Sequence, residues 1–331
     1  MRSAAGVLAE AARAAGMAPS VHNTQPWRWR VHPDHLDLFA DRSRQLRAAD
    51  PDGRLLAISC GTALHHARVA LLAEGWQPEV ERLPDPADPD HVARIRLGQH
   101  VGVTAEAIRQ FQAAEIRRTD RRPLTGTPVP PAALAAVRTA VEAAPAHLHT
   151  LRPEQVSELA VAAGRAETLA AADPQSRAEL RYWVGGAHPA GTGLPETAIP
   201  TQPPHTTVPV RDFGRPGTLP VDDPPARERG DAAATYAVIF GDQDTPAAWL
   251  AAGEALSAAW LVATGHGVAL LPFSAPVEAP ATRAVLRRVL AGIGHPQLVL
   301  RLGLADPDHP GPPHTPRLDP TQTVEIVGEE Q

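Results

Sequence analysis

Apolar positions along the chain recur with helical or strand-like periods, which predicts a mixed α/β protein. Residues 3–16 have helical spacing and end at Gly16, which predicts a helix with a glycine stop. The other elements predicted in the first part are strands at 27–32, 36–39, 78–83 and 92–97 and helices at 58–75 and 103–115. The second part predicts a helix after Pro130-Pro131, helices within 153–184 and at 246–264, and strands near 147–151, 236–240, 268–271 and 297–302.

Two of the predicted helices match each other without gaps. Gly61-x-Ala63-Leu64-x-x-Ala67-x-Val69 aligns with Gly253-x-Ala255-Leu256-x-x-Ala259-x-Leu261, and Gly75 and Gly267 follow at the same distance. Small residues let such helices pack closely, and the final glycines favour a left-handed helix cap. The match predicts an internal duplication. Chance similarity between two alanine-rich helices is the alternative.

Periodicity is lost between residues 185 and 226, which are rich in Gly, Pro, Thr and Asp. A connection this long inside a compact protein is usually functional or disordered. Its proline content favours a stiff, extended segment over a flexible glycine linker. The segment is therefore predicted to be a functional insertion or a plain exposed one.

Composition excludes several kinds of site. The chain contains no lysine, which excludes Schiff-base chemistry and a Walker phosphate loop and leaves arginine as the phosphate-binding side chain. The net charge of −6 argues against a nucleic-acid surface. The histidines of His65-His66 and His147-x-His149 lack a third ligand at a recognisable spacing, so no metal site is predicted.

Cysteine content and the distribution of apolar residues predict the cellular compartment of the protein. The single Cys60 excludes an internal disulfide. Glu10 and Arg13 interrupt the N-terminal apolar stretch, so it does not resemble a signal peptide, and no segment is predicted to span a membrane. The sequence therefore predicts a cytoplasmic protein that binds a small molecule and neither nucleic acid nor membrane.

The segment 18–27 combines hydrogen-bonding side chains with two prolines and a tryptophan, which suits a ligand wall better than a core. It resembles the S-x-x-N-x-Q-P-W signature of nitroreductase-like flavoproteins. In the form HNTQPW it is most similar to their Acg-type FMN-binding branch. The resemblance implies FMN contacts from Pro19, Ser20, His22, Asn23 and Gln25, with Trp27 anchoring the strand behind them. An ordinary polar loop that leads into an edge strand is the alternative.

A second element concentrates guanidinium groups near residue 120. Bidentate guanidinium contacts and one hydroxyl suit a phosphate monoester. The run resembles the R-R-S-x-R/K element that binds FMN in nitroreductases, with Thr119 in place of the usual Ser and Arg121 where many relatives have Lys. The resemblance implies that the cofactor is bound by Arg117, Arg118, Thr119 and Arg121, by Arg317 near the C-terminus, and by Pro272, Phe273 and Ser274 on the flavin N5/O4 side. A solvated basic run is the alternative.

Each of the two elements occurs once, the wall in the first half and the arginine element at the start of the second. In the homodimeric nitroreductases the two elements of one FMN site come from opposite subunits. The resemblance thus implies an α/β (α+β), three-layer sandwich in which two nitroreductase-like halves, 1–115 and 116–331, are fused in one chain. Such a chain is expected to be a monomer with internal pseudo-two-fold symmetry, one FMN site and a second, empty pseudo-site.

The resemblance implies an FMN-dependent oxidoreductase in which the flavin accepts hydride at N5 from NAD(P)H. No side chain then needs to act as acid or base, and Arg121 is expected to stabilise the anionic reduced flavin. The first alternative is a flavin-sequestering protein whose lid, 185–226, covers the FMN. The second is an interaction module that binds no flavin, which the polarity of residues 20–25 opposes.

Overall fold

The computed structural model describes residues 2–122, 124–186, 188–199, 206–211, 213, 233–305 and 312–327. Its helices are α1 (Ala4–Ala15), α2 (Arg54–Ala73), α3 (Ala105–Ile116), α4 (Pro131–Glu142), α5 (Pro153–Ala172), α6 (Pro174–Trp183), α7 (Pro246–Gly265), α8 (Ala275–Glu278) and α9 (Pro280–Val289). Its strands are β1 (Trp27–Val31), β2 (His35–Ala40), β3 (Trp76–Arg82), β4 (His91–His100), β5 (His147–Thr150), β6 (Thr235–Gly241), β7 (Val268–Phe273), β8 (His295–Leu304) and β9 (Val324–Ile326).

The strands form two sheets. The first has the order β3-β4-β2-β1-β9, and the second has the order β5-β6-β8-β7. The pair β1–β9 is parallel, whereas the other pairs are antiparallel. Because β9 comes from residues 324–326, the C-terminal part of the described chain adds an edge strand to the sheet that the N-terminal residues build.

The core is arranged in layers, and strand alternation sets which residues enter it. In β1, Trp27, Trp29 and Val31 are buried while Arg28 and Arg30 point outward. One apolar cluster joins the inner face of the first sheet to α1 and α2, and a second joins the second sheet to α4 and α7. A third lies on the opposite face of the second sheet, under α5 and α9. These layers agree with the predicted sandwich of sheets and helices.

Helices α2 and α7 cross at the centre of the molecule, where their glycines meet. A Cβ atom added to Gly253 would lie 2.9 Å from the Cα of Gly61, which is closer than real Cβ contacts allow. The aligned glycines of the two matching helices therefore contact each other. Gly75 (φ 84°) and Gly267 (φ 68°) follow the two helices in the left-handed conformation, as predicted.

Several boundaries differ from the sequence-based predictions. Helix α2 begins at Arg54 and not at residue 58, and helix α9 and strand β9 were not predicted. The expectation that no segment approaches membrane-spanning length is wrong: α2 and α7, each 20 residues long, are long and apolar enough to cross a membrane, by length and composition only. Most of each is nevertheless buried inside the protein, as expected for core helices. Much of the predicted lid, namely 187, 200–205, 212 and 214–226, lies outside the described residues.

Candidate functional site

The wall segment, residues 18–27, contains backbone conformations that non-glycine residues rarely adopt. His22, Asn23 and Gln25 have φ values of 49°, 55° and 49°. Left-handed non-glycine residues cost energy and concentrate at functional sites. The turn is fixed by a hydrogen bond from the Gln25 backbone N–H to Ser20 Oγ at 2.9 Å. On its other side, Thr62 Oγ1 on α2 donates to the carbonyl of the buried Pro19. Neighbouring structure therefore holds the strained segment in place.

The amide side chains of this turn bind two other backbone segments. Asn23 Nδ2 donates to the carbonyls of Gly193 (3.0 Å) and Pro316 (2.9 Å). Gln25 Nε2 donates to the carbonyl of Gly191 at 2.7 Å, and Gln25 Oε1 accepts from the Leu318 N–H at 3.0 Å. Every polar side-chain atom of this pair thus has a partner within the protein. Direct ligand contact by these two amides stays a prediction, because in this structure their hydrogen bonds go to the backbone of residues 191–193 and 316–318.

Two arginines separated by 200 positions meet behind this turn. Arg117 Nη2 and Arg317 Nη2 both donate to the Met17 carbonyl, at 3.3 and 3.2 Å. Arg317 Nη1 also donates to Asn23 Oδ1 at 3.1 Å, which joins the arginine pair to the wall segment. The Arg117 guanidinium lies 4.4 Å from the centre of the Trp260 ring, in cation–π geometry. Two residues proposed from separate motifs are therefore neighbours.

No described acidic side chain compensates the charge of this pair. Arg117 is 4% exposed, and the Nε atoms of both Arg117 and Arg317 are buried without a hydrogen-bond partner. No ion pair joins either guanidinium to an acidic side chain in the part of the chain that the structure describes. Burial, and next the charge of Arg317, lowers the pKa of Arg117 to about 9, and burial lowers that of Arg317 to about 10. Buried like charges are costly unless an anion joins them, so the pair suits an anionic ligand.

The rest of the arginine element is divided between this site and the surface. Arg118 is exposed and donates to His314 Nε2 at 3.2 Å. Thr119 is half-buried. Arg121 is partly buried, donates to the Ala198 carbonyl at 3.4 Å and lies 5.5 Å from the Phe213 ring centre. Burial lowers the pKa of Arg121 to about 10, although the nearby Asp120 opposes that shift. Arg121 is thus a second poorly compensated cation.

Contacts between side chains connect His22 with the end of β7. Arg211 Nη1 lies 3.1 Å from His22 Nε2, and the same guanidinium forms an ion pair with Glu278. Glu278 accepts a hydrogen bond from Ser274 Oγ at 2.7 Å. Loss of water around the His22 ring, and then the charges of Arg211 and Arg121, lower its pKa well below its usual value, so it is neutral near pH 7.

The other two residues predicted at this strand end are placed by the second sheet. Pro272 and Phe273 end β7 and pair with β8, and Phe273 packs edge-on against Tyr236 with ring centres 6.2 Å apart. Both are partly buried, and no polar contact joins them directly to the arginine pair among the described residues. Their contact with a cofactor stays a prediction.

Comparison with known proteins identifies the family. No family model matches the chain. It is 38% identical over 310 residues to a Mycobacterium tuberculosis (strain H37Rv) protein provisionally named NAD(P)H nitroreductase Rv3131, with 93% of this chain and 88% of that protein covered. It is 33% identical over 311 residues to acg of the same strain, which carries the same provisional name, with 94% and 93% covered. The chain belongs to this nitroreductase family.

Among solved structures, a Bacteroides fragilis nitroreductase with bound FMN is 15% identical with a TM-score of 0.41, and the match covers 66% of this chain and 98% of that one. The FMN and NADPH-dependent nitroreductase NfnB from a Sphingopyxis strain is 16% identical with a TM-score of 0.38, and the match covers 66% and 99%. The family resemblance inferred from the two motifs is thus confirmed by the relatives of similar length.

Several contact residues of this candidate site lie outside the two motifs that the sequence analysis identified. Trp260 lies on α7, where the sequence pattern predicts only an apolar helix. Arg211 and Glu278 belong to neither motif. The Met17 contribution is a backbone carbonyl, which no side-chain pattern can reveal. Of these, only Arg211 carried a signal, since it is a cation inside the proline-rich segment.

Proposed function

We propose that this nitroreductase binds FMN and transfers electrons from NAD(P)H to a small acceptor. The observation that carries the proposal is the buried pair Arg117 and Arg317, whose charges have no acidic partner among the described residues and whose Nε atoms lack hydrogen bonds. A dianionic phosphate monoester would supply both missing partners, because it offers negative charge to the guanidinium groups and several acceptor oxygens to their N–H groups. The residues therefore fit the phosphate of FMN. The provisional names of the relatives, NAD(P)H nitroreductase, agree with this function.

Each residue of the proposed site has a separate task. Arg117 and Arg317 would hold the phosphate, with Thr119 as a hydroxyl donor. Asn23 and Gln25 would keep the strained wall in place through their bonds to Gly193, Pro316, Gly191 and Leu318. When bound, FMN supplies the redox chemistry, since its N5 atom exchanges hydride with nicotinamide. Arg121 would favour negative charge on the ligand, because it is a cation without a strong counter-charge.

We further propose that one chain builds one such site and works as a cytoplasmic monomer. The wall lies in the proposed first half, residues 1–115, whereas Arg117 and Arg317 lie in the second, residues 116–331. The matching helices α2 and α7 cross at Gly61 and Gly253, which supports two related halves around a pseudo-two-fold axis. Since each element is present once, the second pseudo-site would remain without FMN.

Flavin storage is the alternative function, and one contact favours it. Gly193, in the proposed lid segment, exchanges two hydrogen bonds with Asn23: its N–H donates to the Asn23 carbonyl at 3.2 Å, and its carbonyl accepts from Nδ2. Residues 191–193 therefore cover the wall. A closed cover of this kind would exclude substrates as well as water.

The experiment is a titration followed by reduction. Apo-protein is titrated with FMN, and the quenching of flavin fluorescence gives the stoichiometry; the loaded protein is then mixed with NADPH without oxygen. One equivalent of FMN that bleaches supports the oxidoreductase. One equivalent that stays oxidised with NADPH, but is bleached by a low-potential chemical reductant as the positive control, supports storage. Failure to bind FMN would overturn both functions.

A further inference from the structure

A histidine and carboxylate cluster lies on the first sheet, on the face away from its apolar cluster. In β2, Leu36 and Leu38 enter the core, so His35 and Asp37 point to the opposite face. His32 follows β1 directly. One ligand atom from each of His32, His35 and Asp37 lies within 4.8 Å of the others. The spacing His-x-x-His-x-Asp on a tight hairpin therefore brings three potential metal ligands together.

Hydrogen bonding brings possible acceptor atoms of the cluster close together. His35 Nδ1 lies 2.7 Å from Asp34 Oδ1, so Nδ1 is the donor of this contact, and Nε2 presents a lone pair in the neutral ring. That Nε2 lies 3.4 Å from Asp37 Oδ2, another acceptor. His32 Nε2 is 3.6 Å from the same oxygen, beyond hydrogen-bond distance. The His32 and His35 rings are stacked, with centres 4.1 Å apart and planes 8° apart, so the partly exposed His32 ring has to turn about its Cβ–Cγ bond before both nitrogens and the oxygen can share one cation.

The carboxylate of Asp37 is already oriented by a second set of residues. Arg94 donates to both of its oxygens, from Nε to Oδ1 at 2.7 Å and from Nη2 to Oδ2 at 2.9 Å. The buried His91 places Nε2 3.0 Å from Oδ1. Oδ1 thus accepts from Arg94 and lies beside His91, while Oδ2 accepts from Arg94 and lies on the side of the other two histidines. Hydrogen bonds of this kind, from outer residues to a ligating carboxylate and a ligating histidine, fix metal ligands in place.

The geometry points to a binding site for a divalent transition metal such as Zn²⁺, formed by His32 Nε2, His35 Nε2 and Asp37 Oδ2. Ligand atoms about 2.0–2.1 Å from a tetrahedral zinc ion lie roughly 3.3–3.4 Å apart, and the two nitrogens lie 3.6 and 3.4 Å from the oxygen. Two imidazoles and one carboxylate suit zinc better than Mg²⁺ or Ca²⁺, which prefer oxygen ligands. Water would take the fourth position.

The site has a structural consequence that is independent of FMN. All three ligands belong to the hairpin of β1 and β2, and β1 begins at Trp27, directly after the wall segment. A bound ion would fix the hairpin turn, and the free energy of unfolding would rise with the logarithm of the free ion concentration once that exceeds the dissociation constant.

The test is calorimetric titration of tag-free, chelator-treated protein with Zn²⁺. We expect one ion per chain, at least tenfold weaker binding in His35→Ala, and the same loss in the more exposed His32→Ala, with folding checked by circular dichroism. His147→Ala is the matched control: His147 lies 3.0 Å from the single carboxylate of Asp242, and its removal should leave zinc affinity unchanged. Zinc should also raise the melting temperature of the parent and of His147→Ala, but not that of His35→Ala.

Two results would overturn the site. One is the absence of stoichiometric zinc binding by the parent protein. The other is zinc affinity in His35→Ala and His32→Ala equal to that of the parent, which would make the cluster a hydrogen-bonded surface feature. Replacing Zn²⁺ with Co²⁺ gives an independent reading, because a tetrahedral nitrogen and oxygen site produces visible absorption that both variants should lose.

Discussion

Two arginine groups flank the central helices α2 and α7, and they differ in what balances their charge. Arg82 Nε and Nη2 donate to the carboxylate of the buried Glu254 at 2.7 and 2.9 Å, and Arg68 Nη1 adds a third contact at 2.6 Å. Arg117 and Arg317 have no such partner within the described residues; they share the Met17 carbonyl. In the first group one carboxylate pairs with both guanidinium groups, whereas no described carboxylate pairs with the second group.

The difference separates a structural role from a binding role. Hydrogen bonds to Glu254 raise the pKa of Arg82, whereas burial lowers that of Arg117 to about 9. Guanidinium groups stay protonated at neutral pH, so Arg117 keeps a charge that the protein itself does not neutralise. An ion pair inside the protein contributes to folding, while an uncompensated cation pair is available to an anion. Four predictions test this contrast.

The largest effect is expected from Arg82→Met, which keeps most of the side-chain volume. Glu254 would lose a bidentate charge-assisted partner while buried, and we expect a loss of about 2–3 kcal/mol in the free energy of unfolding. Urea unfolding measures it. Arg30→Met is the control, because the pair of Arg30 with Glu325 is exposed and its loss should cost at most about 1 kcal/mol. Equal losses in the two variants would contradict the structural role of Glu254.

Gln25→Leu sharpens the comparison by testing which wall residues are structural. The change removes the bonds that hold Gly191 and Leu318, so we expect the free energy of unfolding to fall by about 1–3 kcal/mol even without ligand. Cleavage by a protease within residues 188–199 should also become faster. In Gln110→Leu, where the amide bonds only to the exposed Glu106, stability should change by less than about 0.5 kcal/mol. If Gln25→Leu leaves the stability of the apo-protein unchanged, Gln25 is not a structural residue, and direct contact with the ligand becomes the better explanation of its role.

A third prediction concerns pH, because the cation pair also acts on His66. Burial, and next the charge of Arg117, lowers the pKa of His66 well below its usual value. Below about pH 6.5 the unfolded chain then binds a proton at this position that the folded protein does not, so stability falls as pH decreases, by up to about 1.4 kcal/mol per pH unit.

The variant His66→Asn should remove that share of the pH dependence. Its amide nitrogen can replace Nδ1 opposite the Thr62 carbonyl, which lies 3.0 Å away. Urea unfolding of parent and variant at about pH 7 and about pH 5.5 gives the two slopes. Identical slopes would show that His66 does not carry the penalty.

The smallest effect on stability is expected from Arg117→Met. The variant removes a buried cation without an ion-pair partner, so the apo-protein should be as stable as the parent or slightly more stable. Comparison with Arg82→Met in the same urea experiment makes the contrast direct. A loss as large as that of Arg82→Met would show that Arg117 is a structural residue.

The sequence was sufficient to predict the family, the layered fold and the residues of the two motifs. It was not sufficient to predict which residues of the candidate site contact each other. The arginine element indicated Arg117, and the family resemblance indicated Arg317 by its place near the C-terminus. Their meeting at the Met17 carbonyl depends on how the C-terminal segment returns to the first sheet through β9. A strand of three residues gives too weak a periodicity to be predicted. The orientation of Asn23 could not be predicted either, because it follows from a left-handed turn and from two distant carbonyls.

The histidine and carboxylate cluster shows the same limit. The pairs His65-His66 and His147-x-His149 are adjacent or alternating histidines. In the cluster, Pro33, Asp34 and Leu36 separate His32, His35 and Asp37. Strand alternation places His35 and Asp37 on one face, and cross-strand register adds Arg94 opposite Asp37. Register is set by the pairing of β2 with β4, which are more than fifty residues apart, so no local pattern carries it.

The most direct test of the central claim compares two ligands that differ by one phosphate. We expect the parent apo-protein to bind FMN roughly a hundredfold more tightly than riboflavin, since two guanidinium groups hold the phosphate. In Arg117→Met the ratio should fall to roughly tenfold or less. In the control Arg109→Met, at an exposed pair with Glu106, it should not change. Equal affinity of the parent for FMN and riboflavin would contradict the account, because the buried arginine pair would then hold no phosphate.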